Sequence, residues 1–324
     1  MLSPSEIVIA YQLLLGRDPE SQQVVDELAH SNRSVDELRE TFYKSPEFLK
    51  HMGDVLQTSV KTDPRHPFVL PEIPVEVDCS NEQLAQMLLR ISKEWEHLGE
   101  SDPYWSVITQ PYYHLNEFEP HRDQFYKSGQ HTEYVYLASL RRCGVNPNLL
   151  KSCLDFGCGV GRITSHLSKT FESVIGVDVS KSHLQLAREH LDSENSANVQ
   201  LIQLTDFNIL SVLPKVDTII SVITLQHNPP PIISYLIKSL LALLNPGGAA
   251  YFQVPTYRNG YLFEVERYLN STPPDTLEMH FLPQKDVFKA IAESNCELLE
   301  VREDKMAGRE DIMLSNSFVV RKRS

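Results

Sequence analysis

Apolar positions in the first fifty residues recur at helical spacing. Ile7, Ala10, Leu13 and Leu14 mark one face. Ser3 and Glu6 stand at capping-box spacing ahead of it, with Pro4 at the favoured first helical position. GRDP breaks that helix, and a second is expected from near Pro19. Ser34 and Glu37 announce a third, and Ser45 a short fourth. Pro64, Pro67, Pro71 and Pro74 then forbid regular helix and predict extended chain. A long helical pattern follows from Ser80 to about Leu98. The aromatic-dense stretch after it reads as loop, and another helix is expected from about Glu133 to Cys143.

From Ser152 the period switches between strand and helix. SCLDFG, SVIGVDVS, NVQLIQLTDF, VDTIISVITLQH and AAYFQVPT read as strands, separated by helical segments. CELLEVRED and NSFVVRK add two more, short-linked and suited to antiparallel pairing. Near-continuous apolar strands between helices predict a sheet covered on both faces. The expected fold is α/β, a doubly wound, mostly parallel seven-stranded sheet with an N-terminal helical domain. The divisions are a helical module (1–55), a Pro-rich linker (56–79), a helical and aromatic lid segment (80–149), and a ligand-binding domain (150–324) with an insertion at 257–283.

Composition narrows the classes. The 324 residues are 41% hydrophobic and 23% charged, ordinary for a globular protein with a full core. No apolar run reaches membrane-span length. The N-terminus carries acid and no basic segment before its apolar part, as expected of a cytoplasmic chain without a signal peptide. Five cysteines with no CxxC pair predict reduced thiols and no metal site. A net charge of −13 disfavours nucleic acid as partner.

The chemistry begins at LDFGCGVGR, residues 154–162. Gly157 and Gly159 can adopt positive φ and present bare backbone to a ligand where the strand order reverses. Asp178 ends the second strand and can take two ribose hydroxyls. NAD and S-adenosylmethionine are both compatible with that much. Three details separate them. The spacing is G-x-G-x-G, with Arg162 where a dinucleotide fingerprint wants its last glycine. Asp155 before the turn repels a pyrophosphate but suits a methionine ammonium. Asp206 and Phe207, closing the third strand, can bond an adenine amino group and cover its ring.

LDFGCGVGR, VIGVDVS, LTDF, SVITLQH and LNPGGAAYFQVP resemble, in order and spacing over 150–255, the motifs of class I S-adenosylmethionine-dependent methyltransferases. The resemblance implies that Asp155, Gly157 and Gly159 lie along the methionine end. It implies Asp178 at the ribose, Asp206 and Phe207 at the adenine, and Leu225 and Gln226 on the sulfonium side. YQLLLGRDPE and LRETFYKSPEF, within residues 3–52, resemble a small helical module that accompanies bacterial enzymes of cell-surface glycan assembly. That suggests a glycan-like acceptor and a protein partner held through the module. The alternative is a helical extension that only packs.

Methyl transfer to a hydroxyl calls for a base near the fourth strand and a lid against water. His227, in LQHNPPP, is the best-placed base; its alternative is to fill the loop before a helix. His280 lies in the insertion, and Tyr257 and Arg258 open it. Tyr104 and Trp105, with Phe125 and Tyr126, are candidate lid aromatics; Trp105 and Tyr126 are assigned to the cofactor, over the sulfonium. DPYW and FYKSG stretches of this kind precede the core in a set of bacterial methyltransferases that the chain resembles. The leading expectation is methyl transfer to a small-molecule or glycan-like hydroxyl. The alternatives are N-methylation of an amine or peptide, and an inactive binding or assembly protein on the same fold. A nicotinamide dehydrogenase is disfavoured by Arg162 and Asp155.

Overall fold

The computed structural model describes residues 2–31, 34–50, 71–274, 277–308 and 313–324. The end of the expected module and most of the expected linker, 51–70, lie outside the described residues. The chain divides into two compact units after Leu70.

The first unit carries helices α1 (Pro4–Leu15), α2 (Gln22–His30) and α3 (Val35–Tyr43), with further helical chain at 46–50. Both expected capping boxes form: Glu6 N–H donates to Ser3 Oγ at 3.3 Å and Glu37 N–H to Ser34 Oγ at 3.2 Å. The second helix starts beyond Pro19, where the Ser21 side chain caps it by accepting the Val24 N–H at 3.4 Å. Ile7, Tyr11, Val25, Leu38 and Phe42 form a small core of its own.

The second unit is a seven-stranded sheet in the order β3-β2-β1-β4-β5-β7-β6. Its strands are β1 (Ser152–Phe156), β2 (Ser173–Asp178), β3 (Val199–Gln203), β4 (Val216–Ser221), β5 (Leu244–Arg258), β6 (Cys296–Asp304) and β7 (Met313–Lys322). Pairing is parallel from β3 to β5, and β7 runs antiparallel to both β5 and β6. The order reverses between β1 and β4, so the carboxyl ends of β1, β2 and β4 open one crevice.

Helices α4 (Asn81–Ser101), α10 (Pro230–Ala242) and α12 (Gln284–Glu293) cover one face. Leu84, Met87, Leu88 and Ile91 give α4 its buried stripe. α10 is apolar nearly all round because neighbours flank it as well as the sheet. The other face takes α6 (Arg122–Arg142), α7 (Thr164–Thr170) and α8 (Lys181–Ser193), with Tyr136, Leu140, Leu167 and Leu191 buried against Val174 and Ile220. Three short helices complete the unit: α5 (Pro103–Val107), α9 (Asn208–Val212) and α11 (Val265–Asn270).

Two expectations about the aromatic segment are corrected. α6 starts well before Glu133, so Phe125 and Tyr126 are helical. Gly129 explains the missed turns, because it interrupts the apolar pattern where α6 crosses the backbone after β1. A Cβ there would stand 2.0 Å from the Arg162 carbonyl oxygen. Tyr104 and Trp105 lie on α5, started by Pro103 at its first turn.

Candidate functional site

A cavity of about 910 Å³, counted with its mouth, occupies the crevice at the strand ends. Its floor is the turn after β1, where Gly157 has φ 78° and Gly159 φ 52°. Thr224 presses on that turn: a Cβ on Gly157 would lie 2.1 Å from its side chain. Asp178 holds the turn from β2. Its carboxylate accepts the Gly159 N–H and the Ser180 N–H, each at 2.9 Å. Each of these N–H groups enters on its own oxygen, leaving lone pairs on both for a ligand.

Several expected residues meet here: Gly157, Gly159, Asp178 and Phe207 all line the cavity. Others do not. Asp155 is buried (2% exposed) behind the turn, accepting the Thr164 hydroxyl at 2.7 Å. Burial pushes its carboxyl up to about 6. Asp206 is exposed and accepts the Asn208 N–H at 2.8 Å, a turn residue ahead of α9 and away from the cavity lining. Leu225 is fully buried in the core. Trp105 stacks on His114 and faces a separate groove; Tyr126 stacks on His190 at 3.5 Å. The aromatic wall of the cavity is Trp95 instead, on the buried stripe of α4. Ser106 and Val107 of α5 do line it, so the expected lid segment covers the cavity through other residues. His183 Nε2 bonds Ser106 Oγ at 2.9 Å and ties that lid to α8.

Arg162, noted in the sequence for the glycine it replaces, is a lining residue. It is 8% exposed, gives Nη1–H to Ser128 Oγ at 3.1 Å, and leaves Nε without a partner. Burial pushes its pKa down to about 10. The charge is offset in part by Asp155, behind the same turn.

Beside the cavity lies a side-chain cluster. His227 sits in a one-turn helix, Leu225–His227, with its ring edge-on to Trp95 at 5.1 Å between centroids. Its Nδ1–H donates to the Glu278 carbonyl at 2.8 Å, and the Gln226 amide donates to its Nε2 at 3.1 Å. Burial pushes its pKa down to about 4, so the ring is neutral at pH 7. Arg90 pairs with the Glu278 carboxylate at 2.5 Å, both about 12% exposed, and clamps the insertion to α4. His280 is buried; its Nδ1 meets the Tyr261 hydroxyl at 2.9 Å and its N–H donates to the Gln226 carbonyl at 2.8 Å. Neither histidine lines this cavity; His227 stands after β4 and His280 in the insertion.

Residues 153–248 match the family profile described as a methyltransferase domain. The chain carries a class I S-adenosylmethionine-dependent methyltransferase domain. It is similar to a ubiquinone biosynthesis O-methyltransferase of Acinetobacter baylyi, 26% identical over 157 residues, 47% of this chain and 65% of that protein. It is also similar to one from Hydrogenovibrio crunogenus, 31% identical over 133 residues, 39% of this chain and 53% of that protein. The chain thus spans less than two thirds of the length of these relatives. A solved structure with a similar fold is magnesium protoporphyrin IX methyltransferase from Synechocystis PCC 6803 with bound S-adenosylhomocysteine. Its TM-score is 0.51 at 18% identity, covering 72% of this chain and 99% of that one.

The methyltransferase cavity suits its cofactor, S-adenosylmethionine. Gly157 and Gly159 bring bare backbone to the lining, Asp178 offers oxygens, and Arg162 brings a guanidinium. Among the described residues no helix is long and apolar enough to cross a membrane, and no His, Cys, Asp and Glu group could hold a metal.

Proposed function

We propose that this protein transfers a methyl group from S-adenosylmethionine to a hydroxyl oxygen on a small-molecule acceptor. The observation that carries the reading is the neutral His227, fixed beside Trp95 at the edge of the cofactor cavity. In this assignment Asp178 holds the ribose hydroxyls, Phe207 covers the adenine, and Arg162 holds the methionine carboxylate. Gly157 and Gly159 admit the methionine chain, and Asp155 steadies Arg162 from behind the turn. S-adenosylmethionine supplies an electrophilic methyl group when bound. His227 takes the acceptor's hydroxyl proton at Nε2, displacing the Gln226 amide that occupies that lone pair. Trp95 and the α5 lid keep water from the transfer. The O-methyltransferase names of the curated relatives support oxygen over nitrogen.

A glycan-like acceptor, and a protein partner for the N-terminal helices, follow only from the sequence resemblance of that module. His280 is assigned as a support of the acceptor end, reaching it through Tyr261 and Glu278.

Calorimetric titration with S-adenosylmethionine, S-adenosylhomocysteine and NADH tests the donor. Both adenosyl ligands should bind and NADH should not; the opposite result overturns the reading. Incubating the protein with labelled donor against phenols, sugars and amines then tests the acceptor. Label appearing only on amines would replace oxygen by nitrogen.

A further inference from the structure

Ile223 follows β4 at φ 57°, a left-handed conformation that is costly for a β-branched residue. Its N–H is taken by the side chain of Gln253, fully buried on β5, at 3.1 Å. A backbone N–H can only donate, so the Gln253 oxygen must face it. The Gln253 NH₂ then points the other way, to Gln226 Oε1 at 3.1 Å and Ser315 Oγ at 2.7 Å. Gln226 has thereby spent its oxygen, and its NH₂ faces His227 Nε2 at 3.1 Å. That nitrogen must carry a lone pair. The ring proton sits on Nδ1, where the Glu278 carbonyl, which can only accept, takes it at 2.8 Å. The chain of donors and acceptors begins and ends on backbone groups and closes without conflict.

We infer that Gln253 is a positioning residue: through Gln226 it holds His227 in the Nδ1–H tautomer with Nε2 unprotonated. The inference deepens the proposed role of His227 as proton acceptor and rests on that reading for its catalytic meaning. Protonating Nε2 in place would set donor against donor. His227 therefore takes a proton only when Gln226 turns over or is displaced, and turning over breaks its bond to Gln253. The other ionisable groups around the ring do not replace this control. Trp95 of α4 is neutral, the Glu278 carboxylate is paired with Arg90, and His280 is turned to Tyr261 and Glu278.

Nitrogen-15 NMR of the full chain reads the tautomer directly. At pH 7 the unsubstituted protein should show His227 protonated at Nδ1 alone; protonation at Nε2 would overturn the inference with no variant needed. Gln253→Leu frees the Gln226 oxygen to turn toward His227 and accept from a protonated Nε2. The His227 protonation midpoint should then rise by about one pH unit or more, a tenfold change in its equilibrium. Ser315→Ala removes only a side branch and should leave the midpoint in place. An unchanged midpoint in folded Gln253→Leu would refute the positioning role. A risen midpoint in Gln253→Leu, together with undiminished methyl transfer in His227→Ala, would keep that role and overturn His227 as the base.

Discussion

The two ends of the proposed site are built by different means. The donor end is a backbone turn held by one carboxylate, with Gly157, Gly159 and Asp178 contributed by two adjacent strands. Polar atoms there face the cavity with capacity left over. The acceptor end is a closed network of side chains from α4, the β4 exit, β5, β7 and the insertion. Gln226, Gln253 and His227 there are already bonded to other protein groups, side chain or backbone. The donor end therefore stands ready to bind, whereas the acceptor end must exchange a protein partner for a substrate.

Breaking the donor end should have the largest effect on affinity. Asp178→Ala removes the proposed ribose acceptor and the oxygens that hold Gly159 and Ser180. Calorimetry should show S-adenosylmethionine binding weakened by about 10³-fold, two charged hydrogen bonds' worth. Affinity within threefold of the unsubstituted protein would remove the ribose assignment. His227→Ala should do the reverse: turnover falls by about 10²-fold or more while donor affinity holds. Near-normal single-turnover rates would refute the base.

Arg162→Met sharpens the donor end further. It should weaken S-adenosylmethionine by about tenfold to a hundredfold, yet leave an analogue lacking the carboxylate unchanged. Equal losses for both ligands would place the arginine elsewhere. Two buried groups then give opposite pH signatures. Asp155, raised to about 6, binds a proton in the fold that the unfolded chain has lost between about pH 4 and 6. Its contribution to stability therefore falls as pH rises through that window. His227, lowered to about 4, is charged only in the unfolded chain between about pH 4 and 6.5, so its contribution rises with pH there. Urea denaturation of Asp155→Asn should show a gain of about 3 kcal/mol at pH 7 that vanishes below pH 4. Asp206→Ala should be the mildest change, about 1 kcal/mol or less of stability and no shift in donor affinity.

The donor end was legible in the sequence because its parts are local. Gly157, Gly159 and Asp178 stand within two strand-to-helix turns, and a fixed spacing carries their geometry. Asp206 failed for the same reason: an acid before a short helix makes a sufficient turn without any ligand. Trp105 and Tyr126 were misread because aromatic density resembled a lid loop, whereas both sit on helices with their rings stacked elsewhere. Trp95 was hidden in the apolar period of α4, where a wall and a core residue look alike. At the acceptor end the sequence pointed to His227, His280 and Gln226, but not to what holds them. Their partners include the carbonyl of Glu278, which any residue type could supply, and Gln253, which stands on a buried strand far along the chain.

Gly157 and Thr224 interlock across the crevice, with no room for a methyl group between them. This ties residue 157 to glycine. Thr224 can shrink to serine or alanine, but its Cβ would still stand 2.6 Å from a Cβ at residue 157. Gly157 cannot change even then, since alanine would meet both that neighbour and the positive φ. Substitutions that retune this pocket must therefore enter from the β4 side, and a library randomised at residue 157 alone should return almost only glycine.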